Sequence, residues 1–211
     1  SPTEAVVWTT DTDPDLRRRG VLLLGNAVFG GEEPYVKLYR DYAVNERNPL
    51  VKAAAIRALA RHGEVADARI IATQLIHENR QVRWEAARGL QRLHEPAVVP
   101  DLLERLRDPD EDVQVRVATA TALGQYGSDR AFQGLVAALE APELAVNHAA
   151  AASLRQLTGR DIGIDPTAWL RWYRDAAGDP QRLAGAADFR YPTYERDPGF
   201  FEQLAFWNPP V

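Results

Sequence analysis

Short helix-spaced runs of apolar residues alternate with turns along this chain, and the runs come in pairs. Residues 79–109 show the unit. A polar Asn79 precedes Val82, Ala86, Ala87 and Leu90, which fall on one helical stripe. His94-Glu95-Pro96 marks a turn, and Val98, Val99, Leu102, Leu103 and Leu106 form a second stripe. Two antiparallel helices this short cannot bury their apolar faces alone. The pattern therefore predicts that they stack on copies of themselves.

The copies are present. An acidic or amide residue, two residues, Val or Leu, then usually Arg or Lys recurs as Asp13–Leu16–Arg17, Asn48–Val51–Lys52, Asn79–Val82–Arg83, Asp112–Val115–Arg116 and Glu143–Val146–Asn147. Four residues past each Leu or Val anchor stands a small residue: Gly20, Ala55, Ala86, Thr119, Ala150. Eight residues past it stands Leu24, Leu59, Leu90, Leu123 or Leu154. Asp or Asn is expected to cap each first helix, the small residues to let neighbours approach, and the leucines to fill the space between. Gly63, Gly127 and Thr158-Gly159 fall where first helices must stop and turn. Second helices are expected at about 33–46, 65–78, 96–108 and 129–141, with Pro34, Pro96 and Pro100 in or near their first turns.

The anchors, the Ala-rich helices that follow them and the run from Ala122 to Gly127 resemble the short bacterial HEAT-like repeats of the phycobilisome-lyase type, over residues 13–159. The tetratricopeptide and ankyrin signatures of similar period are absent. The resemblance implies an all-α, right-handed α-solenoid of about five helix pairs. It implies no single function, because that class hosts scaffolds, lyases and hydroxylases alike.

Four segments follow from this reading. Residues 1–12 are β-branched at their centre and are expected to lie extended, with Trp8 as an anchor. Residues 13–159 are the repeat array. Residues 160–178 are a loop and a capping helix, with Asp165 as N-cap, Pro166 as first helical residue, and Trp169, Trp172 and Tyr173 on one face. Gly163, Asp165, Pro166, Trp169 and Trp172 resemble the closing segment of a family of bacterial HEAT-repeat proteins, which brings no activity with it. The bland role for these aromatics, sealing the last core face, is preferred to a ligand slot. Residues 179–211 form an aromatic tail with Phe189, Tyr191, Tyr194, Phe200, Phe201, Phe206 and Trp207, and five prolines argue for an extended path. Packing against the array is favoured over docking into a partner.

Composition changes this picture little. A net charge of −5 argues mildly against a general nucleic-acid binder. No apolar run approaches membrane-spanning length. Without cysteine there is no disulfide framework and no thiolate chemistry. Without methionine the chain reads as processed or trimmed, and an exported protein or lipoprotein with its signal removed is slightly favoured over a cytoplasmic one.

Candidate chemistry is sparse. HEAT-repeat hydroxylases hold two irons through His-Glu pairs in register, but His77-Glu78 and His94-Glu95 occupy unlike places in their repeats and are not expected to converge. His62 and His148 lack a carboxylate at a ligand-like spacing. No catalytic residue, metal site or cofactor is therefore expected. Arg17, Lys52, Arg83 and Arg116 are read as a ladder between repeats rather than as phosphate ligands, because their regularity is what a structural role predicts.

Aligning the second helices by their leucines places Lys37, Arg40, Asp41, Arg69, Thr73, Gln74, Asp101, Glu104, Arg105, Gly134, Ala137 and Ala138 on the solvent side, the concave face. Its mixed charge disfavours a DNA clamp, which wants one sign throughout. It suits a protein or peptide partner on an apolar centre with a polar rim. Lys37, Arg40, Asp41, Arg69, Gln74, Asp101, Glu104, Arg105 and Ala137 are the candidate contacts, with Trp84 on the opposite side as a possible hot spot. The expected function is a non-catalytic scaffold. A lyase- or hydroxylase-like enzyme is the alternative, and a nucleic-acid clamp the second alternative.

Overall fold

The computed structural model describes residues 2–185, and the aromatic residues 189–207 of the expected tail lie outside them. Every described element is helical. First helices are α2 (Pro14–Asn26), α4 (Pro49–His62), α6 (Arg80–Gly89), α8 (Val113–Leu123) and α10 (Leu144–Thr158). Second helices are α3 (Glu33–Asn45), α5 (Ala68–Ala72), α7 (Val99–Arg107) and α9 (Asp129–Ala138). α1 (Pro2–Thr9) precedes the array and α11 (Pro166–Asp175) closes it. Successive first helices pack on one another, and each second helix packs against the following first helix, as in an α-solenoid.

Capping and burial follow the repeat. Asp13, Asn48, Asn79 and Asp112 accept backbone N–H bonds at the starts of α2, α4, α6 and α8. Glu143 at the start of α10 makes no such bond, because its carboxylate is taken by Arg116 at 2.7 Å. The leucines at offset 8 are fully buried, and so are the small residues at offset 4. Thr119 keeps its buried hydroxyl satisfied by donating to the Val115 carbonyl at 2.8 Å. The small residues set a close spacing: a Cβ on Gly25 would stand 2.8 Å from that of Ala58, and one on Gly124 2.7 Å from Ser153.

Two expectations need correction. Residues 2–9 are a helix, not an extended strand. Pro2 opens it, Ala5 is buried, and a Cβ on Gly20 of α2 would sit 2.7 Å from the Ala5 carbonyl oxygen. Contact with α2 outweighs the weak strand preference of Val6 and Val7. Trp8 is half-buried beneath Arg19, whose guanidinium lies 4.7 Å from the ring centre. The second helix of repeat two, expected as one piece, is the five-residue α5 between 3₁₀ turns at Val65–Asp67 and Thr73–Ile76. Gly63 ends α4 with ordinary negative φ, whereas Gly159 ends α10 at φ 68°, where glycine carries no side-chain penalty.

At the far end, Trp169 is wholly buried, and its indole N–H donates to the Gly163 carbonyl at 2.8 Å. Phe132 of α9 stacks on Tyr173 at 4.5 Å and meets Trp169 edge-on at 6.2 Å. These aromatics close the last core face.

Candidate functional site

The ladder is the most regular polar feature. Arg17 reaches Glu46 of the next repeat at 3.0 and 3.1 Å, Arg83 reaches Glu111 at 2.7 and 2.8 Å, and Arg116 reaches Glu143 at 2.7 Å. The same side chains cap the preceding helix. Arg17 donates to the Asp11 and Thr12 carbonyls, Arg83 to those of His77 and Glu78, and Arg116 to that of Leu106. Asn147 does this alone, donating to the carbonyls of Ala138, Leu139 and Ala141. Lys52 donates to the Ala43 and Val44 carbonyls at 3.2 and 2.8 Å. Its rung differs, because His77 stands where the other joints have Glu46 or Glu111. The Asn79 N–H bonds His77 Nδ1 just as the Asn48 N–H bonds Glu46.

These contacts leave little of the chemistry-bearing set free. His94 bonds the Gln91 carbonyl and the Gln125 side chain. His62 bonds the Gly25 carbonyl at 2.9 Å, and burial holds it below the usual imidazole range. The two His-Glu pairs are not brought together. Among the described residues no group of three or more His, Asp or Glu is placed to hold a metal.

The second-helix face is partly what the sequence suggested. Lys37, Asp41, Arg69, Asp101, Glu104 and Ala137 are exposed. Gln74 is not: it is buried, and its amide bonds the Thr73 hydroxyl at 2.9 Å. Gly134 and Ala138 are also buried, and a Cβ on Gly134 would strike Leu103. The leucine alignment failed there because these helices turn more of their surface inward than one stripe. Arg40 and Arg105 are fasteners rather than free cations. Arg40 grips Asp67 of the next repeat at 2.7 and 3.1 Å, and Arg105 is shared among Glu104, Asp108 and Glu111. Trp84 is half-buried, with Arg88 lying 4.6 Å over its ring.

Open grooves run between the second helices. One, between the end of the α5 segment and α7, has Ala72, Leu75, Ile76, Ala97 and Val98 as its floor and Arg69, Asp101 and Glu104 as its rim. It continues between α7 and α9 past Pro100, Arg130 and Gln133. Ile76 is 73% exposed, an unusual state for a β-branched apolar residue on this face. No sequence signal marks it: Ile76 stands four residues past the buried Ala72, where a regular helix would bury it, and the 3₁₀ turn at Thr73–Ile76 carries it outward.

The general model for HEAT repeats matches residues 70–155. Those residues are HEAT-like repeats. No curated protein sequence matches the chain. Among solved structures, the chain is similar to YibA of Escherichia coli at 19% identity and a TM-score of 0.61, over 82% of this chain and 63% of that one. It thus spans less than two thirds of YibA. It is similar to the CpcE–CpcF complex of phycocyanin lyase from Nostoc sp. PCC7120 at 23% identity and a TM-score of 0.65, over 88% of this chain and 74% of that one. Human deoxyhypusine hydroxylase aligns at 24% identity and a TM-score of 0.52, over 72% of this chain and 60% of that one. These likenesses show a shared fold, one that serves both binding and catalysis. Among the described residues, no helix is long and apolar enough to cross a membrane.

Proposed function

We propose that this chain is a non-catalytic scaffold that receives an extended peptide or protein segment in the grooves between its second helices. The observation that carries this reading is the groove around Ile76, an apolar floor with a rim of both charge signs. That is the anatomy of a non-obligate protein interface. The rim disfavours nucleic acid, because Asp101 and Glu104 interrupt any track of cations. The phycocyanin lyase relative, solved as a complex of two chains, lends the reading support.

The test is a photocrosslinking amino acid placed at Ile76 and, as control, at the exposed Arg80 on α6, in lysate of the source organism. A discrete adduct from position 76 and none from position 80 is expected. An Ile76→Asp variant should lose the same partner. Adducts from both positions alike, or from neither, would remove the groove from consideration.

A further inference from the structure

The opposite layer carries a concavity that none of the groove residues touch. α2, α4 and α6 leave between them a cavity of about 90 Å³, room for several waters or one small ion. Its floor is Gly25, Ala54, Ala58, Ala60 and Gly89. Its walls carry Arg57 and Arg61 from α4, Arg88 from α6, and Arg92 from the turn that follows α6.

The four arginines are two repeat-equivalent pairs. Arg57 and Arg88 stand six residues past the anchors Val51 and Val82, and Arg61 and Arg92 stand ten past them. Offsets 6 and 10 are one helical turn apart and face the same way. In the other repeats these places hold Leu22 and Asn26, Thr121 and Gln125, and Ala152 and Gln156. A group required for stacking would recur along the array. This one belongs to the second and third repeats alone.

Among the described residues the only acid lining the cavity is the buried Glu85, in a place where the flanking repeats have Ala54 and Ala118. Its carboxylate stands 4.0 Å from Arg88, and Arg57 also acts on it. Arg61 donates to the Asn26 side chain at 3.1 Å, and Arg88 lies over Trp84. The field reaches His62, which feels both Arg61 and Arg92. Among the described residues, Arg57, Arg61 and Arg88 stand against the one carboxylate of Glu85, a local excess of positive charge in a chain whose net charge is −5. Like charges gathered over a low-dielectric floor repel one another when alone and focus their field on an anion.

We propose that this cavity binds a phosphate group, either inorganic phosphate or the phosphate of a small phosphorylated molecule. Charge excess favours a dianion over a carboxylate. Planar forks entering from two helices suit an anion with oxygens on several sides, since a phosphate can accept bidentate bonds from more than one guanidinium. Arg57 and Arg61 are exposed at the mouth, where an attached organic group would lie in solvent.

Binding of inorganic phosphate, read by ³¹P resonance broadening and by the shift in melting temperature, tests the proposal against sodium chloride at equal ionic strength. Phosphate should raise the melting temperature where chloride does not. Arg57→Ala or Arg61→Ala should weaken binding by about tenfold, and the double variant should lose it. Both side chains are exposed, so helix content by circular dichroism should not change. The pair Arg160→Ala and Arg171→Ala, exposed near the end of the array, should bind as the unaltered chain does. Glycerol phosphate separates the two sources: tighter binding than phosphate assigns the site to a phosphorylated molecule, and weaker binding to the free ion. No response to either compound, or a response that survives in the double variant, overturns the proposal.

Discussion

Arg83 and Arg80 lie three residues apart on α6, both paired with acids of the next repeat, and they should behave very differently. The Arg83 side chain is 18% exposed, its partner Glu111 is 1% exposed, and two helix-end carbonyls depend on it as well. Removing it leaves the buried Glu111 carboxylate with only the Asp112 N–H and the 3.7 Å contact to Arg105, and takes the donor from two carbonyls, so Arg83→Ala should cost about 2–4 kcal/mol in urea denaturation. Arg80 is 62% exposed, and Arg80→Ala should stay within about 0.5 kcal/mol despite its 3.1 Å bond to Asp112. The sequence made Arg83 conspicuous, because its position recurs with the repeat. It hid Arg40 and Arg105, whose partners are set by how second helices lie against the following repeat. The arginine pairs around Glu85 were visible as equal offsets from two anchors. Only the packing of α2 against α4 and α6 shows that they enclose a space.

At the scale of elements, Gly20 decides whether α1 docks. An alanine there would push against the backbone of Ala5 and Thr9, each 2.7 Å from the added carbon, and backbone cannot swing aside as a side chain does. Gly20→Ala should lower stability by about 1–3 kcal/mol and expose α1 to limited proteolysis. An unchanged digestion pattern would show that α1 is held elsewhere. First helices were legible because capping residue, apolar stripe and stop signal agree in each. α1 was not, since eight residues carry too little periodicity and helix formation there comes from packing. The breaks flanking α5 were also unreadable. Glu64 and Asp67 cap each other's backbone, an arrangement that depends on Arg40 holding Asp67 from another repeat.

For the whole molecule, the closing aromatics set where disorder can enter. Trp169→Ala removes a fully buried ring and should cost about 3–5 kcal/mol. Each repeat touches only its neighbours, so the loss should be local: amide exchange should quicken in α9 and α10 while α2 and α4 keep their protection. Uniform loss of protection would mean the array folds as one unit. That the chain is an array with a cap was readable from its own repetition, and the face it presents was not. Gln74 and Ile76 both stand in the 3₁₀ turn at Thr73–Ile76, where the α-helical stripe no longer applies, and there Gln74 is buried and Ile76 bare.

The Lys52–His77 joint bears on how far order spreads along the array. The neighbouring ladder contacts set an arginine against a carboxylate, while this one sets a lysine near an imidazole. Burial first, then Lys52, holds His77 below its ordinary value, so the folded chain resists protonating it. The stability this permits is fully present above the unfolded imidazole value of about 6.5, and is lost as the pH falls through the folded value. Coupling between units in a one-dimensional array fails first at its weakest contact, and a boundary between ordered and disordered stretches settles there. Calorimetry at pH 7.5 should give one cooperative transition. Near pH 5.5 it should resolve into two, the first two repeats melting apart from the remaining three, and His77→Glu should restore the single transition.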